Sequence, residues 1–164
     1  MKKEMKNLVK MVKVVVKEVT LSEMEIITCE DAQAVVTKAS GVVAGLKWKK
    51  AIQRMLHKVE RTDKVLSVCP IEDINTGKDM LLMVTMKNMI FCDGSKLLVM
   101  PYEEVRSLAA RKGIVSDHIE LDTHSYLFEF TWKDKKLGNF TQDIILNKRK
   151  SARVIRTWKS VSFQ

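Results

Sequence analysis

Apolar residues recur at helical spacing at the start of the chain: Met5, Leu8, Val12, Val15 and Val19 stand at intervals of 3, 4, 3 and 4. Lys3, Lys6, Lys10, Lys13 and Lys17 repeat those intervals on another face. The period predicts a basic amphipathic helix over 1–19. The valines pull toward strand, because branching at Cβ stiffens χ1; the helical reading is the one the period favours. Residues 29–59 read as helix in two pieces. Thr28 with Asp31 three residues on predicts a cap for the first, and Gly41 its end. Leu46, Trp48, Ile52, Met55, Leu56 and Val59 then form a second helical stripe.

At Asp63 the texture changes to short β-like runs separated by turn signals. The runs are Val65–Ile71, Met80–Thr85, Met89–Cys92, Lys96–Met100, Val105–Arg111, His118–Thr123 and Tyr126–Trp132. Asn75-Thr76-Gly77 and Asp93-Gly94 are the turns; the second is a hairpin signal in which both positions tolerate positive φ. Gly113 closes the fifth run. Seven short strands with short links predict an antiparallel meander curled into a barrel or sandwich. After Trp132 the pattern is helical again, with Gly138-Asn139 as a break and Phe140, Ile144 and Ile145 facing a core. The expected organisation is a helical arm over 1–60, a β domain with its closing helix over 61–150, and a basic extension over 151–164.

Two phrases within this pattern carry a resemblance. Gly77-x-x-Met80-Leu81-Leu82-x-Val84-Thr85-x-x-Asn88-Met89-Ile90-Phe91 resembles the second and third strands of prokaryotic pleckstrin-homology-like (PH-like) domains of the YokE-like group, with Asn88 where their phrase carries Arg. Met100-Pro101-Tyr102-Glu103-Glu104-Val105-x-Ser107-Leu108 resembles the phrase that enters their fifth strand. Across about residues 60–150 the resemblance implies an α+β, PH-like barrel or sandwich of seven antiparallel strands with a C-terminal helix, here preceded by the N-terminal arm. It further implies a module that binds peptides, proteins or anionic lipid head groups. Lipid-binding relatives hold the head group on a basic loop between the first two strands. Here the loop from Glu72 to Asp79 carries Glu72, Asp73 and Asp79 against Lys78, so a phosphoinositide pocket is not expected there.

Charge sharpens the picture. The net +9 of the 164 residues is unevenly spread. Residues 1–20 hold six Lys against two Glu, and residues 133–164 nine basic against two acidic side chains; residues 61–132 hold eight basic against eleven acidic. The charge therefore belongs to the ends and not to the β body. The sharpest cluster is Lys148, Arg149, Lys150, Arg153, Arg156 and Lys159, with Trp158 as an aromatic contact. Three partners fit such a segment: an acidic protein or a second copy of the chain, an anionic lipid surface, or nucleic acid with Trp158 stacking on a base. No apolar run is long enough to span a membrane; Met80–Met86, broken by Thr85, is the longest. Three widely spaced cysteines, Cys29, Cys69 and Cys92, form no disulfide framework or metal knuckle and are read as small core residues. A cytoplasmic protein, at most peripheral to a membrane, is expected. So are Met80, Met83, Met86, Met89 and Met100 as core filling.

Catalytic chemistry finds little to use. No nucleophile elbow, P-loop or Ser-His-Asp order is present, so no enzyme and no cofactor are expected. His118-x-Glu120-x-Asp122-x-His124 is the one set with metal-ligand chemistry. Same-face neighbours on a strand lie roughly 6.6–6.8 Å apart, too far for one row to close a ligand shell. Ile119 and Leu121 between them favour a solvent-facing row instead. The expected function is a non-enzymatic module that binds a protein partner through the arm or an exposed sheet edge.

Overall fold

A computed structural model describes residues 25–162, with side chains described through Ala152. The lysine stripe Lys3, Lys6, Lys10, Lys13 and Lys17 lies outside the described residues, as does the helix predicted over 1–19. Three helices come first: α1 (Cys29–Ser40), α2 (Val42–Lys47) and α3 (Lys49–His57). Seven strands follow: β1 (Val65–Asp73), β2 (Asp79–Thr85), β3 (Asn88–Cys92), β4 (Leu97–Pro101), β5 (Val105–Arg111), β6 (His118–Thr123) and β7 (Leu127–Trp132). A single 3-10 turn, Tyr102–Glu104, joins β4 to β5, and α4 (Lys135–Ser162) closes the chain. This is an α+β architecture, with helices before and after a seven-stranded antiparallel sheet.

The Thr28 cap forms as a full capping box. Thr28 Oγ1 accepts from Asp31 N at 3.2 Å, and Asp31 Oδ2 accepts from Thr28 N at 2.8 Å. Gly41 ends α1, and its N–H reaches Thr37 O. The segment 29–59 forms three helices instead of the expected two, because Trp48 breaks the second stripe into α2 and α3. Leu46 of that stripe is 65% exposed, whereas Trp48, Ile52 and Met55 are buried. Residues of α1 and α3 share one core with the sheet, so residues from Ile26 onward pack as part of the β body.

The strands lie in the order β4-β3-β2-β1-β7-β6-β5. The expected barrel does not close: β4 and β5 are the two edges of an open sheet. The ends nevertheless curl toward each other. Phe91 of β3 stacks flat on Phe128 of β7, with ring centroids 4.6 Å apart, although β2 and β1 separate those strands. Burial follows the alternation read from the sequence, with Ile119, Leu121 and Thr123 of β6 inward. Met83, Met89 and Met100 fill the core as expected, while Met86 at the β2–β3 turn is 49% exposed.

The Asp93-Gly94 hairpin departs from its expected geometry. Only Gly94 takes positive φ, at 104°. Asp93 instead turns the chain with its carboxylate, which accepts from Lys96 N at 2.8 Å, Ser95 N at 2.9 Å and Ser95 Oγ at 3.1 Å. Those bonds, the Lys96 N–H first, hold the Asp93 carboxyl well below the usual carboxylate range. Asp93→Ala is expected to cost about 1–2 kcal/mol at neutral pH. The contribution is present above the unfolded-state pKa of ~3.9 and is lost as pH falls through the lower folded value. Denaturant midpoints should therefore show a constant penalty down to roughly pH 5 that shrinks below about pH 4.

The helix α4 runs through Gly138 without the expected break. Asp134 starts it: its Oδ1 accepts from Leu137 N at 2.9 Å. Leu137, Thr141 and Ile145, spaced by four, are buried against the sheet. Thr141 and Ser67 of β1 share a buried hydrogen bond of 2.8 Å, and Thr141 Oγ1 also reaches Leu137 O. The helix continues unbroken across residues 150 and 151.

Candidate functional site

Of the two edge strands, β5 is the more exposed. Its sequence, Val105-Arg-Ser-Leu-Ala-Ala-Arg111, offers little to bury beyond Val105 and Leu108, and five of its seven residues are exposed. It pairs only with β6 among the described residues, through Ser107↔Asp122, Leu108↔Leu121, Ala109↔Glu120, Ala110↔Ile119 and Arg111↔His118. A register shift between Val105 and Ser107 marks a bulge at its start, which bends a strand away from its neighbours.

α4 reaches this same bulge. Arg149 Nε donates to Val105 O at 3.1 Å, and its Nη2 donates to Arg106 O. The guanidinium closes the first two carbonyls of the strand and leaves Ser107 to Arg111 as the open edge. Lys148 and Lys150 flank that contact, the first half-buried and the second exposed. Of the six residues of the predicted basic cluster, then, Arg149 docks the helix on β5, Lys148 lines a groove on the other side of α4, and Lys150 is exposed. Arg153, Arg156 and Lys159 continue along the α4 backbone, with Trp158 among them; their side chains lie outside the described ones.

On the other side of Lys148 is a groove of about 360 Å³, lined by Met86, Lys87, Pro101, Tyr102, Ser151 and Ala152 among others. Its polar groups are largely committed. Lys87 Nζ binds Glu60 at 2.9 Å and Thr62 at 2.8 Å, and the Glu60 bond raises the Lys87 pKa. The Tyr102 hydroxyl donates to Thr85 O, and burial pushes the phenol up. Thr85 in turn donates to Asp63 Oδ2 at 2.7 Å and accepts from Asn88 N at 2.9 Å. Asn88, the departure from the PH-like phrase, takes part through its backbone.

The β1–β2 loop carries charges that cancel locally. Lys133 bridges Asp79 at 2.9 Å and Glu72 at 3.7 Å, and Lys78 faces Asp93 at 3.6 Å. The His118-Glu120-Asp122-His124 row is drawn apart by its partners. His118 Nε2 lies 3.3 Å from Glu129 Oε2, off the line of a hydrogen bond, and His124, beyond the end of β6, accepts from Arg106 Nε at 3.1 Å. Among the described residues no three His, Cys, Asp or Glu side chains are grouped to hold a metal ion. Cys69 and Cys92 are buried, burial raises both thiol pKa values, and all three cysteines are unpaired. Among the described residues no helix is long and apolar enough to cross a membrane.

The sequence reading treated Val105–Arg111 as one strand among seven. Its near-lack of large apolar side chains was the available signal that it lies at an edge.

No family model matches the chain, and no curated protein matches it in sequence. Among solved structures it is similar to a DUF1696 family protein with a pleckstrin-homology domain from Shewanella loihica, with a TM-score of 0.42 at 13% identity over 61% of this chain and 94% of that one. It is also similar to the FERM and C-terminal domain complex of Drosophila Merlin, with a TM-score of 0.42 at 12% identity over 85% of this chain. The match spans 55% of the Merlin chain.

Proposed function

We propose that this chain is a non-enzymatic interaction module of the prokaryotic YokE-like kind, which captures an extended, acidic segment of a protein partner on the open edge of β5. The single observation that carries this reading is that edge: backbone from Ser107 to Arg111 with exposed small side chains and no strand outside it among the described residues. An added strand gains main-chain hydrogen bonds at such an edge, and small residues leave room for its alternate side chains. Natural edges are guarded by proline, by charges or by bulges; β5 carries a bulge at its start and Arg106 and Arg111 near its ends, but Ser107, Leu108, Ala109 and Ala110 between them hold no guard. Arg111 at one end and Arg149, docked on the first two carbonyls, at the other favour carboxylates on the incoming segment. The unpaired cysteines fit a reducing, cytoplasmic setting.

Selection from a displayed random-peptide library, followed by amide hydrogen exchange of the complex, tests the reading. Selected peptides should be acidic and should slow exchange within 107–111. Adjacent strand residues point their N–H groups to opposite sides. One of Ala109→Pro and Ala110→Pro should therefore keep the parental melting temperature while weakening peptide binding about tenfold, by removing an outward donor. Peptides that protect only the Met86–Ala152 groove, or binding indifferent to the tolerated proline, sink the proposal. A second copy of the chain protecting the same amides would make the partner self.

A further inference from the structure

The loop between β5 and β6 ends in two aliphatic side chains that touch almost nothing. Ile114 is 104% exposed and Val115 96% exposed, the two most exposed large apolar residues described. The loop beneath them is tied down. Asp117 is buried, its Oδ1 accepts from Gly113 N at 3.4 Å, and Lys135 Nζ of α4 lies 3.4 Å from the same oxygen. That ion pair brings the first turn of α4 to the base of the loop. Arg111 at the end of β5, Lys112 on the loop and Lys136 next to Lys135 on the helix adjoin the two ends of that tie in the chain and make up a cationic collar at the base of the loop; all three are exposed. Asp117 and Lys135 offset each other, and Asp134 keeps its charge while capping the Leu137 N–H, so Arg111, Lys112 and Lys136 leave the base of the loop net positive.

We infer that this tip is a membrane-docking wedge, in which Ile114 and Val115 enter the interfacial layer of an anionic lipid surface while the collar meets its head groups. Charge complementarity selects that occupant. Two projecting aliphatic side chains make too small a patch for the apolar core of a protein interface, which needs far more buried area. The interfacial layer needs only a short apolar insertion backed by cations. The location differs from the β1–β2 loop, where Lys78 is matched by Asp93, and Glu72 and Asp79 by Lys133. The wedge does not rest on the β5 reading, since peptide capture and membrane docking are read out separately.

The test is co-sedimentation of the full chain with phosphatidylcholine vesicles, with and without phosphatidylserine. Binding is expected only with phosphatidylserine, and it should weaken as salt is raised. Ile114→Ser combined with Val115→Ser should lower the partition coefficient roughly tenfold or more. Lys112→Glu combined with Lys136→Glu should do so by at least about tenfold. Because all four side chains are exposed, both variants should melt with the parent. Val115→Trp supplies a positive signal: anionic vesicles should shift its added emission to the blue. Equal binding to neutral vesicles, a partition unchanged by the serine pair, or no blue shift overturns the inference. So does loss of binding through Lys148→Glu with Lys150→Glu while the tip variants bind normally, because the contact would then lie on α4.

Discussion

Phe91→Ala is expected to lower the unfolding free energy by about 4 kcal/mol, as truncation of a buried aromatic leaves a cavity that strands on either side cannot fill. Phe91 is 2% exposed on β3. Its ring lies 4.6 Å from that of Phe128 at an interplanar angle of 7°. Phe128 belongs to β7, three places along the sheet, so the stack is a tie across the curl and not a neighbouring-strand pair. Two measurements separate these roles. Urea denaturation of Phe91→Ala gives the total cost. A cycle with Phe128→Ala should then show a coupling of about 1 kcal/mol, the range found for aromatic pairs beyond their buried area. Full additivity of the two truncations would mean that the rings do not meet and that the sheet is flatter than described.

Gly138→Ala should destabilise by about 2 kcal/mol even though alanine is the better helix former. A Cβ at this position overlaps Trp132 Cγ and Cδ2 and lies 2.6 Å from Cδ1. The ring has nowhere easy to go. Trp132 is 6% exposed and meets Phe130 edge-on at a centroid distance of 5.1 Å. Its Nε1 has no hydrogen-bond partner among the described residues, so packing alone positions the indole. The helical gain is about 1 kcal/mol, and the overlap should cost about 3 kcal/mol. Thermal unfolding together with near-ultraviolet circular dichroism checks the result, since a displaced Trp132 must change the aromatic signal. An unchanged or raised melting temperature would show that α4 can lift from β7 at little cost.

Much of the fold was legible from residue order. The alternation of apolar and polar side chains marks β6 as Ile119, Leu121 and Thr123 inward, and its faces lie as that period requires. The Thr28–Asp31 cap, the Gly41 stop and the turn at Gly94 were likewise readable, because each depends on contacts within four residues. The misreadings have a common cause. Gly138 looks like a helix breaker only while Trp132 is not known to lie against it. Leu46 looks like core only while the kink at Trp48 is unseen. Asp93 needs no left-handed backbone once its carboxylate gathers the Lys96 and Ser95 amides.

The candidate surfaces divide the same way. The basic cluster at Lys148, Arg149 and Lys150 is plain in the sequence, yet its three members do different things. Only the docking of α4 on β5 shows that Arg149 closes the carbonyls of Val105 and Arg106. The Ile114–Val115 tip is an unremarkable dipeptide until its exposure is known. Its collar joins residues about twenty positions apart through the Lys135–Asp117 pair. By itself the sequence determined the kinds of element, their order, most strand limits and the concentration of charge at the ends. These follow from side-chain period and from local hydrogen bonding, which neighbours in the chain decide among themselves. Only the tertiary structure decided that the sheet stays open, that β5 is an edge, and that Arg149 docks on it. Those outcomes depend on which strand finds which partner, and that pairing is settled by burial summed over the whole sheet.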